Sequence, residues 1–159
     1  MHEPDSDRMA GRTVEARAKD PGVIEFASTE PSAFAEMLAG LIEANVHARP
    51  EKKQDLDKLV ARVGFWVTDI DEGVTLAFDA GRLTVYNGLE PGRTITIRAE
   101  AETILRLTNL KIGVFGMPVY YDEVGREIAA KLLGGKLKID GMLSHVATLN
   151  RVTRIFSVQ

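Results

Sequence analysis

Apolar residues recur along this chain first at helical spacing, then in alternation, then at helical spacing again. Ser32 stands where a helix N-cap would, just after Pro31, and Phe34, Met37, Leu38, Leu41 and Ile42 fall on one face of the helix it would open. Pro50 suits a first helical turn, where its missing N–H costs nothing. Leu56, Leu59, Val60 and Val63 then make the stripe of a second helix, opposite Lys52, Lys53, Asp57 and Lys58. Gly64 marks a change of period. Phe65–Ile70 reads as a strand, Asp71-Glu72-Gly73 as a turn, and Val74–Asp79 as the returning strand, with Val74, Leu76 and Phe78 on one face. Ala80-Gly81 turns into Arg82–Tyr86, and Asn87-Gly88 and Pro91-Gly92 are turn signals ahead of a fourth strand, Thr94–Ala99. Three tight connections predict a largely antiparallel meander.

Helical spacing returns with Ile104, Leu105 and Leu107, in a segment opened by Glu100–Glu102, whose acidic side chains suit a helix's positive end. The stretch Lys111–Tyr121 is apolar, broken by Gly113, Gly116 and Pro118, and has neither clean period. Asp122–Leu133 reads as a helix with Tyr121, Val124, Ile128 and Leu132 on one side and Gly134 as its stop. In Gly134–Gly141 the alternation sends Leu137 and Ile139 to one strand face and Lys136, Lys138 and Asp140 to the other. Met142, Val146, Leu149, Val152 and Phe156 then keep the spacing of a closing helix, Met142–Phe156. Residues 1–22 carry charges and small side chains with little to pack and read as a disordered tail. Residues 23–159 read as a single domain.

Composition narrows the function classes. A net charge of −3 supplies no basic field for a phosphate backbone, so nucleic acid is not an expected partner. The absence of cysteine excludes disulfides, thiol catalysis and thiolate metal sites, and fits a cytoplasmic location. No apolar run approaches the roughly 20 residues that span a bilayer. His2, His47 and His145 are far apart, and none lies in a metal-ligand spacing, so no metal or other cofactor is expected; His145 reads as a partly buried structural residue. Asp69, Asp71 and Glu72 bring carboxylates together, yet aspartate and glycine are also the usual residues of a tight turn. Gly134-Gly135-Lys136 lacks the spacing of a phosphate-binding loop, and no serine sits in a nucleophile elbow. No catalytic residue is expected, and the chain does not read as an enzyme.

One order of elements carries a resemblance. A tryptophan-bearing strand, Phe65-Trp66-Val67-Thr68-Asp69, opens a meander. Arg93-Thr94-Ile95-Thr96-Ile97 runs into the acid-opened helix Glu100–Asn109. Gly135-Lys136-Leu137-Lys138-Ile139-Asp140-Gly141 precedes the apolar closing helix. Over Ser32–Val158 this resembles the sterol carrier protein 2 family of lipid-binding domains, with a longer Lys111–Leu133 connection than is usual there. The resemblance implies an α+β fold, a five-stranded, mostly antiparallel sheet covered by helices with an apolar tunnel between the layers. It also implies non-enzymatic binding, and transfer or presentation, of a fatty acid, acyl-coenzyme A, sterol or isoprenoid-like lipid.

The candidate ligand-binding side chains are Trp66, Leu105, Phe115, Met117, Tyr120, Ile128, Leu132, Met142, Val146, Leu149 and Phe156. Phe115 and Met117, beside Tyr120, would form a lid or wall of the pocket, a loop simply folded over the core, or a self-association patch, and Arg151 and Arg154 stand where they could meet a headgroup or simply be solvated. Each buried methylene contributes about 0.8 kcal/mol, so a lipid chain could be held without many polar contacts and with broad selectivity. Transient contact with a membrane surface and a homodimer are further expectations. The alternative is an accessory interaction module or homodimerisation domain of the same fold, its pocket filled by its own side chains, for example in lipid or quinone metabolism.

Overall fold

The structure is a computed structural model that describes residues 24–108 and 122–158. The expected tail and the Lys111–Tyr121 stretch, with Phe115, Met117 and Tyr120, lie outside the described residues.

Strand β1 (Ile24–Phe26) leads to helix α1 (Ala33–Ala48). The Ser32 hydroxyl accepts from the Ala35 amide at 3.1 Å, which is the cap expected from the sequence. Helix α2 (Pro50–Lys58) follows after Arg49, with Pro50 in its first turn. It stops earlier than its apolar stripe suggests. Leu59 is extended, and strand β2 runs from Val60 to Val67, so Val60 and Val63 belong to the sheet and not to the helix. Strands β3 (Glu72–Asp79) and β4 (Arg82–Asn87) complete an antiparallel meander with β2. The turn between them, Ala80-Gly81, has positive φ at both residues, the geometry that matches strand twist in a two-residue hairpin.

Strand β5 (Ile95–Ala99), helix α3 (Ala101–Leu107), helix α4 (Glu123–Leu133), strand β6 (Lys138–Asp140) and helix α5 (Val146–Phe156) follow. The six strands lie in the order β1-β4-β3-β2-β5-β6. Two differences from the expected sheet stand out. A sixth strand, β1, pairs parallel with β4. The third connection is also not a hairpin: the chain leaves β4, crosses the sheet and pairs β5 parallel with the far side of β2. Three of the five pairings remain antiparallel.

Gly64, which looked like a boundary between helix and strand, sits in the middle of β2 because of that crossing. A Cβ there would come within 2.5 Å of the Arg93 side chain and 3.0 Å of Leu89. The crossing segment is held to the sheet by Thr75, whose hydroxyl donates to the Gly88 carbonyl (2.8 Å) and accepts from the Glu90 amide (2.9 Å). Arg62 and Arg93 add side-chain bonds to Pro91 and Thr96.

Alternation places Ala61, Val63, Phe65 and Val67 of β2, with Val74, Leu76 and Phe78 of β3 and Leu83 and Val85 of β4, on one face, and all are buried. The helices cover that face. Helix α1 contributes Phe34, Leu38 and Ile42 to the core, and α5 contributes Val152, Ile155 and Phe156. The other face carries Arg62, Trp66, Thr84 and Arg98, alternating with the buried set. Among the described residues, no helix is long and apolar enough to cross a membrane.

Candidate functional site

The site is an apolar cleft where the β2–β5–β6 side of the sheet meets the last three helices. Phe65, Ile97 and Ile139 form its floor. They come from three neighbouring strands and share a face because Phe65 pairs with Ile97 and Ile97 with Ile139. Ile104, Leu107 and Thr108 of the α3 end, Ile128 and Leu132 of α4, and Leu149, Val152, Thr153 and Phe156 of α5 make the walls. Phe156 meets Phe65 edge to face, ring centroids 5.6 Å apart, an arrangement that aromatic quadrupoles favour.

Local chemistry sets each wall. Asp122 caps α4 by accepting from the Gly125 amide at 2.7 Å. The helix ends at Gly134, with Gly135 left-handed and the Lys136 amide reaching back to the Lys131 carbonyl at 2.9 Å, a Schellman stop that turns the chain into β6. Helix α3 is capped from outside. Its Ala101 amide donates to Asp69 Oδ1 at 2.9 Å, so Asp69 of the β2–β3 turn holds a wall helix in place. Asp71 adopts positive φ in the same turn. The structural use of these carboxylates accounts for their clustering.

Helix α5 is fixed at one end. Asn45 Nδ2 donates to the carbonyls of Ile155 (3.0 Å) and Phe156 (2.9 Å). Lys52 Nζ donates to the carbonyls of Arg154 (2.8 Å) and Ser157. These are carbonyls that a helix end leaves unpaired, and a cation there also suits the negative end of the dipole. Lys52 is only 5% exposed; burial, then the nearby Arg49 charge, lowers its pKa from the ordinary lysine value. Asp55 accepts two bonds from Arg154 (2.8 and 3.0 Å) and lies 3.7 Å from Arg151. The hydrogen bonding of the Arg154 guanidinium to the accepting Asp55 carboxylate raises the Arg154 pKa, keeping the guanidinium charged. Both arginines therefore face α2 and the Asp55 carboxylate, an intramolecular pairing in place of either the headgroup contact or the solvated surface charge read from the sequence. The other end of α5 is bare: His145 precedes it without a side-chain cap, and Val146 is 48% exposed.

Of the residues proposed from sequence, Ile128, Leu132, Leu149 and Phe156 meet in the cleft. Trp66 does not. It is half-buried on the opposite face of the sheet, paired with Gly73 and Arg98. Leu105 is 38% exposed and points away from the lining set, and Val146 stays outside the walls. Met142 precedes α5 in a turn, because the helix begins four residues later than its apolar spacing suggests. His145 is exposed, not partly buried. Sequence reasoning left Phe65, Ile97, Ile104, Leu107, Ile139 and Val152 out of the site, together with Thr108 and Thr153. The alternation of β2 and β5 signalled which face they share, but nothing local marked where that face stays uncovered.

Where the resemblance implies a tunnel, the described walls enclose about 40 Å³. That admits a few water molecules and falls well short of the roughly 300–1,000 Å³ of a pocket that engulfs a small molecule. A larger hollow, about 290 Å³, lies between α1, α2 and β1, but Glu43, His47 and Lys53 rim it and it opens to solvent. The apolar cleft is the better candidate because its lining converges from six elements and, among the described residues, carries no charge. Among the described residues, no group of three His, Asp or Glu side chains is placed to hold a metal ion.

No protein-family model matches the sequence, and no curated protein matches it either. Solved structures do match. A UbiJ-SCP2 ubiquinone synthesis protein superposes with a TM-score of 0.54 at 14% identity, covering 77% of this chain and 91% of its own. Sterol carrier protein 2 superposes with a TM-score of 0.47 at 11% identity, covering 81% of this chain and 95% of its own. The first likeness shows the fold: the chain has an SCP2-like α+β architecture, of the class that its order of elements resembles.

Proposed function

We propose that this protein binds a hydrophobic small molecule in the cleft between the sheet and α3, α4 and α5, and carries or presents it without changing it chemically. The observation that carries the reading is the composition of that wall: ten of its twelve described lining residues are apolar and converge from six elements. The SCP2-like fold supports it, and the description of the matched structure as a ubiquinone synthesis protein suggests an isoprenoid-like lipid among the ligands. Entry requires the cleft to widen. Helix α5 is suited to that movement, since its C-terminal end is fastened by Asn45, Lys52 and Asp55 while its N-terminal end is uncapped and partly exposed.

Native mass spectrometry after gentle purification, with titration of a fluorescent fatty acid and a quinone-like probe, tests the reading. Stoichiometric lipid or saturable binding is the expected result. Absence of binding by acyl, sterol and quinone-like probes would sink it. The small enclosed volume favours a second reading, an accessory interaction module whose cleft is filled by its own side chains. A dimer in light scattering together with no probe binding would favour that alternative.

A further inference from the structure

Among the described residues lining the cleft, no side chain is charged and only Thr108 and Thr153 are polar. Both hydroxyls are already committed as donors. Thr108 Oγ1 donates to the Leu105 carbonyl at 2.6 Å, and Thr153 Oγ1 donates to the Leu149 carbonyl at 2.8 Å. A hydroxyl has one proton and two lone pairs, so each threonine has only acceptor capacity left for a ligand. The arginines of α5 offer no compensation, since they are engaged with Asp55 on the other side of the helix. A carboxylate entering this cleft would lose its water and find neither a cation nor a free proton among these side chains. A carbonyl oxygen would find no donor among these described side chains. A neutral group that brings its own O–H proton would find acceptors.

We propose that the cleft selects a neutral amphiphile bearing a hydroxyl donor, an alcohol or a phenol such as a hydroquinone, over a carboxylate or an acceptor-only ester, with Thr108 and Thr153 as the specificity-determining residues. This rests on the ligand-binding reading of the same cleft and names the chemistry of the group it accepts.

The test is displacement of N-phenyl-1-naphthylamine from the full-length protein by three matched chains: decan-1-ol, methyl decanoate, and decanoate at pH 7.5. Decan-1-ol is expected to displace best, with methyl decanoate weaker by about tenfold, the value of one hydrogen bond, and decanoate weaker still. In the Thr108→Val/Thr153→Val double variant the alcohol and ester should converge, through loss of alcohol affinity with the ester unchanged. If the double variant does not fold, Thr153→Val alone is read against Thr153→Ser, which keeps the hydroxyl and should keep the preference. Decanoate binding as tightly as decan-1-ol would overturn the inference, as would an alcohol preference that survives both valines. Saturable probe binding with no selectivity leaves the ligand-binding reading standing and removes this one; no binding by probe or chains removes both.

Discussion

Lys52 shows how a residue that reads as surface can decide a structure. In the sequence it belongs to the polar side of a helix, with Lys53, Asp57 and Lys58. In the fold its ammonium is buried against the carbonyls that end α5. Lys52→Met keeps the apolar stem and removes the donor, and is expected to lower stability by about 1–3 kcal/mol in urea unfolding. Its folded-state pKa lies below the ordinary lysine value, so the unfolded chain binds more protons between the two values. Stability therefore rises with pH across that alkaline window. The wild-type advantage over Lys52→Met should grow with pH there; a constant difference would show that Lys52 does not titrate as its burial dictates. Ala80 offers the opposite case. It occupies positive φ at 47°, where asparagine is better tolerated, in a hairpin turn. Ala80→Asn is expected to raise stability by about 0.5–1 kcal/mol, measured by the same unfolding experiment.

At the scale of elements, α5 and its fastening to α1 and α2 matter most. Asp55 is the side chain that both arginines of α5 share, and it is largely shielded from solvent. Removing one member of a partly buried, bidentate pair leaves the other charges without it, so Asp55→Ala should cost about 1–3 kcal/mol. Hydrogen exchange should quicken along Val146–Phe156 more than along α1. If exchange in α5 is unchanged, the ion pair is not what holds the helix. Most local elements were legible in the sequence: the Ser32 cap, the Ala80-Gly81 turn, the Asp122 start and the stop before Gly135 are short-range chemistry. The end of α2 was not. Leu56, Leu59, Val60 and Val63 satisfy a helical period, but Leu59 is buried as the extended C-cap residue and Val63 as part of the sheet core, two different surroundings that one helix stripe cannot distinguish.

For the whole molecule, the question is how much room the cleft can make. Leu149 lies on its α5 wall and is only partly buried. Leu149→Ala removes side-chain volume where space is short, and should strengthen binding of a bulky fluorescent lipid at a cost of about 2 kcal/mol in stability. Weakened binding with the same stability loss would mean that the wall contributes contacts more than it restricts space. Either result is read by parallel titration and unfolding.

Taken alone, the sequence determined the order of helices and strands from α1 onward, the alternation that buries one sheet face, and the Gly134–Gly141 passage into β6, because each depends on periodicity and turn chemistry within a few residues. Tertiary structure decided the rest. The parallel pairing of β5 with β2, the crossing that explains Gly64, and the edge strand β1 all join residues far apart in the chain, and no local pattern encodes which partner is nearest. It also decided the site. Trp66 and Phe65 are adjacent and equally aromatic, yet Phe65 faces the helices and Trp66 the opposite side. The arginines of α5 turn to Asp55 and leave the cleft to apolar side chains and two threonines, because a charge is stabilised where a partner waits and a cleft forms where the covering helices leave space.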